Sequence, residues 1–271
     1  MHTTSLPPPL TAPDFSRRKK NHQKISMVTC YDASFARILA KTAVDCVLVG
    51  DSCAMVMYGE STTIPATVAM MARHTAAVRK GLPGKFIVAD MPFLSCRKGT
   101  GAAVEAAGLL IRSGADAVKL EGLSGNERAV SRIVGSGIPV MGHLGLTPQF
   151  YHSLGGYRVQ GKNADAAKRL LDDALGLQDL GAFSIVLECV PESVGSEISA
   201  ALSIPVIGIG AGRQVDGQVL VLHDLLGLSG FRPTFARRYI DGEDLVAGAL
   251  ESYCRDVASG GFPSEAEVFA S

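Results

Sequence analysis

Ser113-Gly-Ala-Asp-Ala-Val-Lys-Leu-Glu121 and Leu180-Gly-Ala-Phe-Ser-Ile-Val-Leu-Glu188 share one grammar: a helix end, Gly-Ala, an apolar run and a closing glutamate. Ile138-Pro-Val-Met-Gly142 and Ile204-Pro-Val-Ile-Gly208 form a second echo. Such echoes mark a β/α unit used more than once. Working outward from them, short β-branched runs alternate with longer helical patterns. The candidate strands are Ile25 to Thr29, Cys46 to Val49, Lys85 to Ala89, Ala117 to Leu120, Pro139 to Met141, Ser184 to Leu187, Pro205 to Ile209 and Val219 to Leu222. Helical candidates lie near Ala33 to Thr42, Thr67 to Lys80, Gly101 to Ser113, Gly125 to Ser136, Ala164 to Leu180, Glu192 to Ala201 and Glu243 to Ala258, with a poorly defined connection after the seventh strand. Eight strands alternating with helices predict an α/β fold, a closed (β/α)8 TIM barrel rather than an open sheet. Many α/β proteins use this grammar, so it speaks of architecture and says little of function. Leu10 to Asn21 reads as a short helical leader able to cover the barrel bottom. The expected organisation is a leader over residues 1–24 and one catalytic barrel domain over residues 25–271.

The chain has 271 residues, of which 47% are hydrophobic, enough to bury a large core. Twenty-six basic residues balance twenty-six acidic ones. A net charge of zero removes the electrostatic footprint of a nucleic-acid binder and points to a small-molecule partner. No apolar stretch approaches the roughly 18 to 20 residues that span a bilayer. Pro7, Pro8 and Pro9, followed by Arg17 to Lys20, leave no apolar signal core, so the expected location is the cytoplasm, away from any membrane. The six cysteines (Cys30, Cys46, Cys53, Cys96, Cys189, Cys254) show no C-x-x-C pairing and read as reduced, mostly buried small hydrophobes.

Catalytic groups of this fold sit at the carboxyl ends of the strands. Strand two runs into Asp51 and Ser52, strand three into Asp90, strand four carries Lys119 and ends at Glu121, strand five ends at His143, and strand six at Glu188. Lys119 and Glu121 are two residues apart and so share a face that can look into the barrel mouth. Asp51, Asp90 and Glu121 are three carboxylates from three successive strands, which fits a hard divalent cation such as Mg²⁺. Zn²⁺ fits poorly, because only one histidine stands at a strand end and the cysteines lack ligand spacing. Taken singly, any of these acids could equally be a helix cap or a loop ion pair. Glu188 lies in partly apolar surroundings that suit proton transfer; the plainer reading is a partner for Lys119 or an arginine. His143 is open between a hydrogen-bonded core histidine and an acid or orienting group. Gly208-Ile-Gly-Ala-Gly212 does not supply the dinucleotide fingerprint, and its glycines suit a tight turn or a close backbone approach. Tyr31, Phe93, Tyr151 and Tyr157 fall in predicted rim loops, where they would flank a planar ligand or simply pack.

The combination resembles a known family. Val49-Gly-Asp-Ser52, Ala89-Asp-Met-Pro-Phe93, Val118-Lys-Leu-Glu-Gly122, Gly142-His-Leu-Gly-Leu-Thr-Pro-Gln149, Gly155-Gly-Tyr-Arg-Val-Gln-Gly161, Leu187-Glu-Cys-Val-Pro191 and Ile207-Gly-Ile-Gly-Ala-Gly212 are similar, in order, to motifs of the ketopantoate hydroxymethyltransferases. The likeness spans roughly Ile25 to Tyr239 and includes His223-Asp-Leu-Leu-Gly227. It departs at Cys53-Ala-Met and in the loop Leu94 to Thr100. The resemblance implies a TIM barrel and a divalent metal, usually Mg²⁺. It also implies transfer of a one-carbon unit from 5,10-methylenetetrahydrofolate to 3-methyl-2-oxobutanoate, giving 2-dehydropantoate for pantothenate synthesis. By the same match, Asp51, Asp90 and Glu121 correspond to the metal site, Glu121 acting through water. Asp51, Ser52, Asp90 and Lys119 correspond to contacts with the oxo acid, His143 falls in an active-site motif and is grouped with them, and Glu188 corresponds to the proton acceptor. A homo-oligomer, up to a decamer, is also implied. Two competing readings are a lyase or mutase of the phosphoenolpyruvate mutase and isocitrate lyase type, whose Cys-Gly-His loop is missing here, and a non-catalytic metabolite-binding barrel, which intact Lys119 and Glu188 argue against.

Overall fold

Side chains along a strand alternate between two faces, and here the alternation sorts polarity along the barrel axis. The computed structural model describes residues 9–230 and 233–269. Its strands are β1 (Ile25–Thr29), β2 (Cys46–Val49), β3 (Phe86–Asp90), β4 (Ala117–Glu121), β5 (Val140–Gly145), β6 (Ser184–Glu188), β7 (Val206–Ile209) and β8 (Gly217–Leu220). Each pairs in parallel with the next and β8 returns to β1, so the barrel is closed as expected. Ile25, Met27, Leu48, Phe86, Val88, Met141, Val186 and Ile207 belong to one continuous apolar core. Each such buried side chain is worth about 1.5–3 kcal/mol. Continuing the same faces toward the carboxyl ends gives Phe86–Val88–Asp90, Ala117–Lys119–Glu121, Met141–His143 and Val186–Glu188. The lower layers therefore supply stability, and the top layer holds charge that stability alone would exclude.

The bottom of the barrel is closed by the expected leader. The helix Ala12–Lys20 opens with a capping box at Thr11 and Asp14, and it delivers Phe15, fully buried, against Phe86 and Phe183 at ring separations of 5.2 and 5.0 Å. Lys19 Nζ anchors the helix to Asp216 Oδ2 at 2.8 Å and to the Ser199 carbonyl at 2.6 Å. The first eight residues of the leader lie outside the described residues. Around the barrel, Asp32, Thr67 and Asn163 cap the helices Ala33–Leu39, Val68–Gly81 and Ala164–Asp179 through their side chains.

Several boundaries differ from the sequence reading. β5 runs on to Gly145, so His143 lies inside the strand and not just past it; the glycines at 142 and 145 had masked the extension, since glycine is scarce in strands. β8 begins at Gly217, beside Ile25 of β1, where a Cβ would meet the Ile25 carbonyl oxygen at 2.4 Å. Leu222, expected to end that strand, starts the helix Leu222–Leu226 instead. The short helix Cys53–Tyr58 and the rim turns Pro148–Phe150 and Tyr151–Leu154 were not expected. Of the cysteines, all six are free; Cys30, Cys46 and Cys53 are buried, Cys96 and Cys189 half-buried and Cys254 exposed.

The chain divides into two compact units, residues 1–221 and residues 222–271. The second contains Leu222–Leu226 and the long helix Gly242–Ser259, which exposes Leu245, Val246, Leu250, Tyr253 and Val257. No described helix is long and apolar enough to cross a membrane.

Candidate active site

The top layer brings the expected residues into one linked group. Asp51 follows β2 after Gly50, a position without room for a side chain: a Cβ there would lie 2.8 Å from Ser52 Oγ. The Asp51 amide donates to Asp90 Oδ2 at 3.0 Å. Lys119 Nζ pairs with Asp90 Oδ1 at 3.0 Å and bonds His143 Nδ1 at 3.2 Å. His143 Nδ1 also lies 3.3 Å from Glu121 Oε1, and its Nε2 lies 3.1 Å from Glu188 Oε2, off the line of an ideal hydrogen bond. Asp51, Asp90, Lys119, Glu121 and His143 are each at most 4% exposed, whereas the Glu188 side chain is 16% exposed. Ser52 turns away toward Tyr31, its Oγ 2.9 Å from the phenol oxygen.

Four carboxylates share this layer with one lysine. Burial, then the charges of Asp90 and Glu121, push Asp51 well above the ordinary carboxylate range. Burial also raises Glu121 to about 7, against the pull of Lys119. Burial opposes the charge of Lys119, but Asp90, Glu121 and Asp51 outweigh it and hold the ammonium above the usual lysine value. His143 is pushed down by burial and by Lys119, and so is neutral at pH 7. An ammonium can only donate, so His143 Nδ1 accepts from Lys119 and the ring proton sits on Nε2, toward Glu188. The chemistry available is a fixed cation, a neutral imidazole and a half-open carboxylate at the mouth.

No group of three His, Cys, Asp or Glu side chains among the described residues is arranged to hold an ion directly. The donor set nevertheless fits Mg²⁺, which takes one or two carboxylates and completes its octahedron with water or substrate oxygens. Asp51 Oδ1 accepts no hydrogen bond among the described residues, and the excess negative charge around it favours a cation.

The profile of the family described as Ketopantoate hydroxymethyltransferase matches residues 9–265. The chain belongs to the ketopantoate hydroxymethyltransferase family. Curated relatives agree. A 3-methyl-2-oxobutanoate hydroxymethyltransferase of Bdellovibrio bacteriovorus is 55% identical over 258 residues, covering 95% of this chain and 98% of that protein. One of the same name from Coxiella burnetii is 50% identical over 256 residues, covering 94% and 96%. The chain is accordingly a hydroxymethyltransferase. Among solved structures, a phosphonopyruvate hydrolase complexed with oxalate and Mg²⁺ superposes with a TM-score of 0.63 at 9% identity, covering 95% of this chain and 93% of that one. A phosphoenolpyruvate phosphomutase from Streptomyces platensis gives 0.64 at 11% identity, covering 91% and 88%. At such identities the likeness is one of fold alone.

The site also holds, at its centre, one residue that the sequence alone does not signal. Gln149, buried at 8% exposure, donates to Asp51 and to the Met91 carbonyl. It stood inside a quoted motif, but an uncharged side chain beyond a strand end gives no signal of its own. The rim aromatics divide. Tyr31 is buried and serves Ser52, while Phe93 and Tyr157 are 39% and 47% exposed and Tyr151 stacks edge-on against Tyr157 at 5.1 Å.

Proposed function

We propose that the protein transfers a hydroxymethyl group from 5,10-methylenetetrahydrofolate to 3-methyl-2-oxobutanoate, yielding 2-dehydropantoate for pantothenate synthesis, with a divalent cation, Mg²⁺ by its donor chemistry, at Asp51 and Asp90. The observation that carries this reading is the grouping of Asp51, Asp90, Glu121 and Glu188 around Lys119 and a neutral His143. When bound, the cation supplies Lewis-acid stabilisation of the oxygen on which charge develops. Asp51 and Asp90 would hold it, with the Glu121 carboxylate close by. Lys119 takes the substrate carboxylate, and Ser52, its hydroxyl bonded to Tyr31, would have to turn to add a contact. Glu188, the most open acid of the group, accepts the C3 proton of the oxo acid. His143 stands beside that carboxylate, its Nε2 3.1 Å from Glu188 Oε2. The resulting enolate carbon bonds to the methylene carbon, both carbon–nitrogen bonds that held that carbon to the folate break, and one water gives it the hydroxyl group, the remaining proton of water and the C3 proton taken by Glu188 ending on the two folate nitrogens.

The reading extends to surroundings. Six free cysteines suit the cytoplasm. The exposed apolar residues of the helix Gly242–Ser259 suit self-association into a homo-oligomer.

Solvent deuterium exchange separates the parts of this scheme. With Mg²⁺ and no folate, the protein is expected to exchange the C3 hydrogen of 3-methyl-2-oxobutanoate, followed by NMR. Glu188→Gln should slow exchange and full turnover together, by about 10²- to 10⁴-fold. Exchange at the parent rate in that variant moves the base elsewhere, His143 first. No product from the complete mixture defeats the substrate assignment.

A further inference from the structure

The loop after β5 gives no side chain to the scheme above, yet it reaches the deepest carboxylates of the site. Gln149 lies in the turn Pro148–Phe150. Its side-chain nitrogen donates to Asp51 Oδ2 at 2.7 Å and to the Met91 carbonyl at 3.0 Å, while its backbone N–H donates to Glu121 Oε2 at 3.0 Å. The Met91 carbonyl can only accept, so the NH₂ end of the amide must face it and the orientation of the amide is fixed by chemistry. One residue thereby touches the ends of three strands: β2 through Asp51, β3 through Met91 and β4 through Glu121.

Asp51 needs such a tether. It stands beyond the end of β2, outside the ladder, and among the described residues its carboxylate accepts a hydrogen bond from Gln149 alone. The neighbouring charges of Asp90 and Glu121 repel it. A buried carboxylate in that position, released from its donor, turns away from the like charges beside it.

We infer that Gln149 is a positioning residue, gripping Asp51 by Oδ2 so that Oδ1 is presented to the divalent cation. The inference rests on the reading that Asp51 and Asp90 hold that ion. Partners that orient ligands in this way commonly change metal affinity 10- to 100-fold.

Gln149→Met tests it cleanly, since methionine keeps the length of the side chain, removes the donor and leaves the backbone bond to Glu121. Two measurements are made on the folded variant, its fold checked by circular dichroism. Mn²⁺ titrated calorimetrically into protein without substrates should bind about 10- to 100-fold more weakly than to the parent. A crystal structure of the variant should show the Asp51 carboxylate turned from its parent orientation. Parent affinity for Mn²⁺, or an unmoved Asp51 carboxylate, overturns the inference. A parent protein that binds no Mn²⁺ defeats the metal reading alone, and the orientation of Asp51 then decides the role of Gln149. Should Gln149→Met fail to fold, Gln149→Asn replaces it, because the shorter amide cannot reach Asp51 Oδ2 and the Met91 carbonyl together and the same weakening is expected.

Discussion

Lys119 is the single buried cation among four acids, and its neighbours hold its charge in place before any substrate arrives. The proposed role of Lys119 in binding the oxo-acid carboxylate can be separated from its part in the resting charge balance. Lys119→Met keeps the apolar stem and removes the charge. The KM for 3-methyl-2-oxobutanoate should rise about 10- to 100-fold, the equivalent of a charged hydrogen bond of about 1.5–3 kcal/mol; steady-state kinetics with an unchanged KM would contradict the assignment. A second expectation concerns pH. Burial raises Glu121 to about 7 from an ordinary value of 4.5, so in that interval the folded chain keeps a proton that the unfolded chain releases. Its stabilisation is full below the unfolded value and is lost as pH rises through the folded one. Asp51, also raised, acts in the same direction. The melting temperature of cation-free protein should therefore fall between about pH 4.5 and about pH 7, and Mg²⁺ should oppose the fall. Calorimetry showing a rise across that window would refute it. At this scale most of the site was legible, because Asp90, Lys119, Glu121, His143 and Glu188 continue apolar period-two patterns whose inward face is already fixed. Gln149 was not, because its contacts arise from a loop folding back across three strand ends, an arrangement no local pattern encodes.

Among the elements, strands were read more faithfully than their ends. β1 and β2 stand where the β-branched runs placed them. β5 and β8 shifted because glycine serves there for close packing between neighbouring backbones, as Gly145 does with the Glu188 carbonyl oxygen, 2.2 Å from where a Cβ would lie. The helix Cys53–Tyr58 escaped notice because it is too short for a helical period to show. The helix Ala12–Lys20 offers the sharpest test of an element's worth. Phe15→Ala removes a fully buried ring from the contact with Phe86 and Phe183, and should cost about 3–5 kcal/mol in denaturant unfolding. Mn²⁺ affinity and oxo-acid KM should stay near parent values, because the ring lies at the opposite end of the barrel from Lys119. A variant with parent stability would show that the helix is an ornament to the barrel and not part of its core.

For the molecule as a whole, the fold places stability and chemistry at opposite ends of one barrel. The aromatic cluster at the amino end also bears on traffic. With Phe15, Phe86 and Phe183 packed together at that end, ligands of the proposed site are expected to come and go at the carboxyl end of the strands. Lys119 is 4% exposed, while Phe93 and Tyr157 in the loops beyond the strands are 39% and 47% exposed. On the proposed scheme the oxo acid at Lys119 should enter before the folate, and the product built on it should leave last. Product inhibition should follow that queue. 2-Dehydropantoate should compete with 3-methyl-2-oxobutanoate, and tetrahydrofolate should be noncompetitive against both substrates. If tetrahydrofolate instead competes with its methylene form, the two ligands enter independently and the queue does not exist.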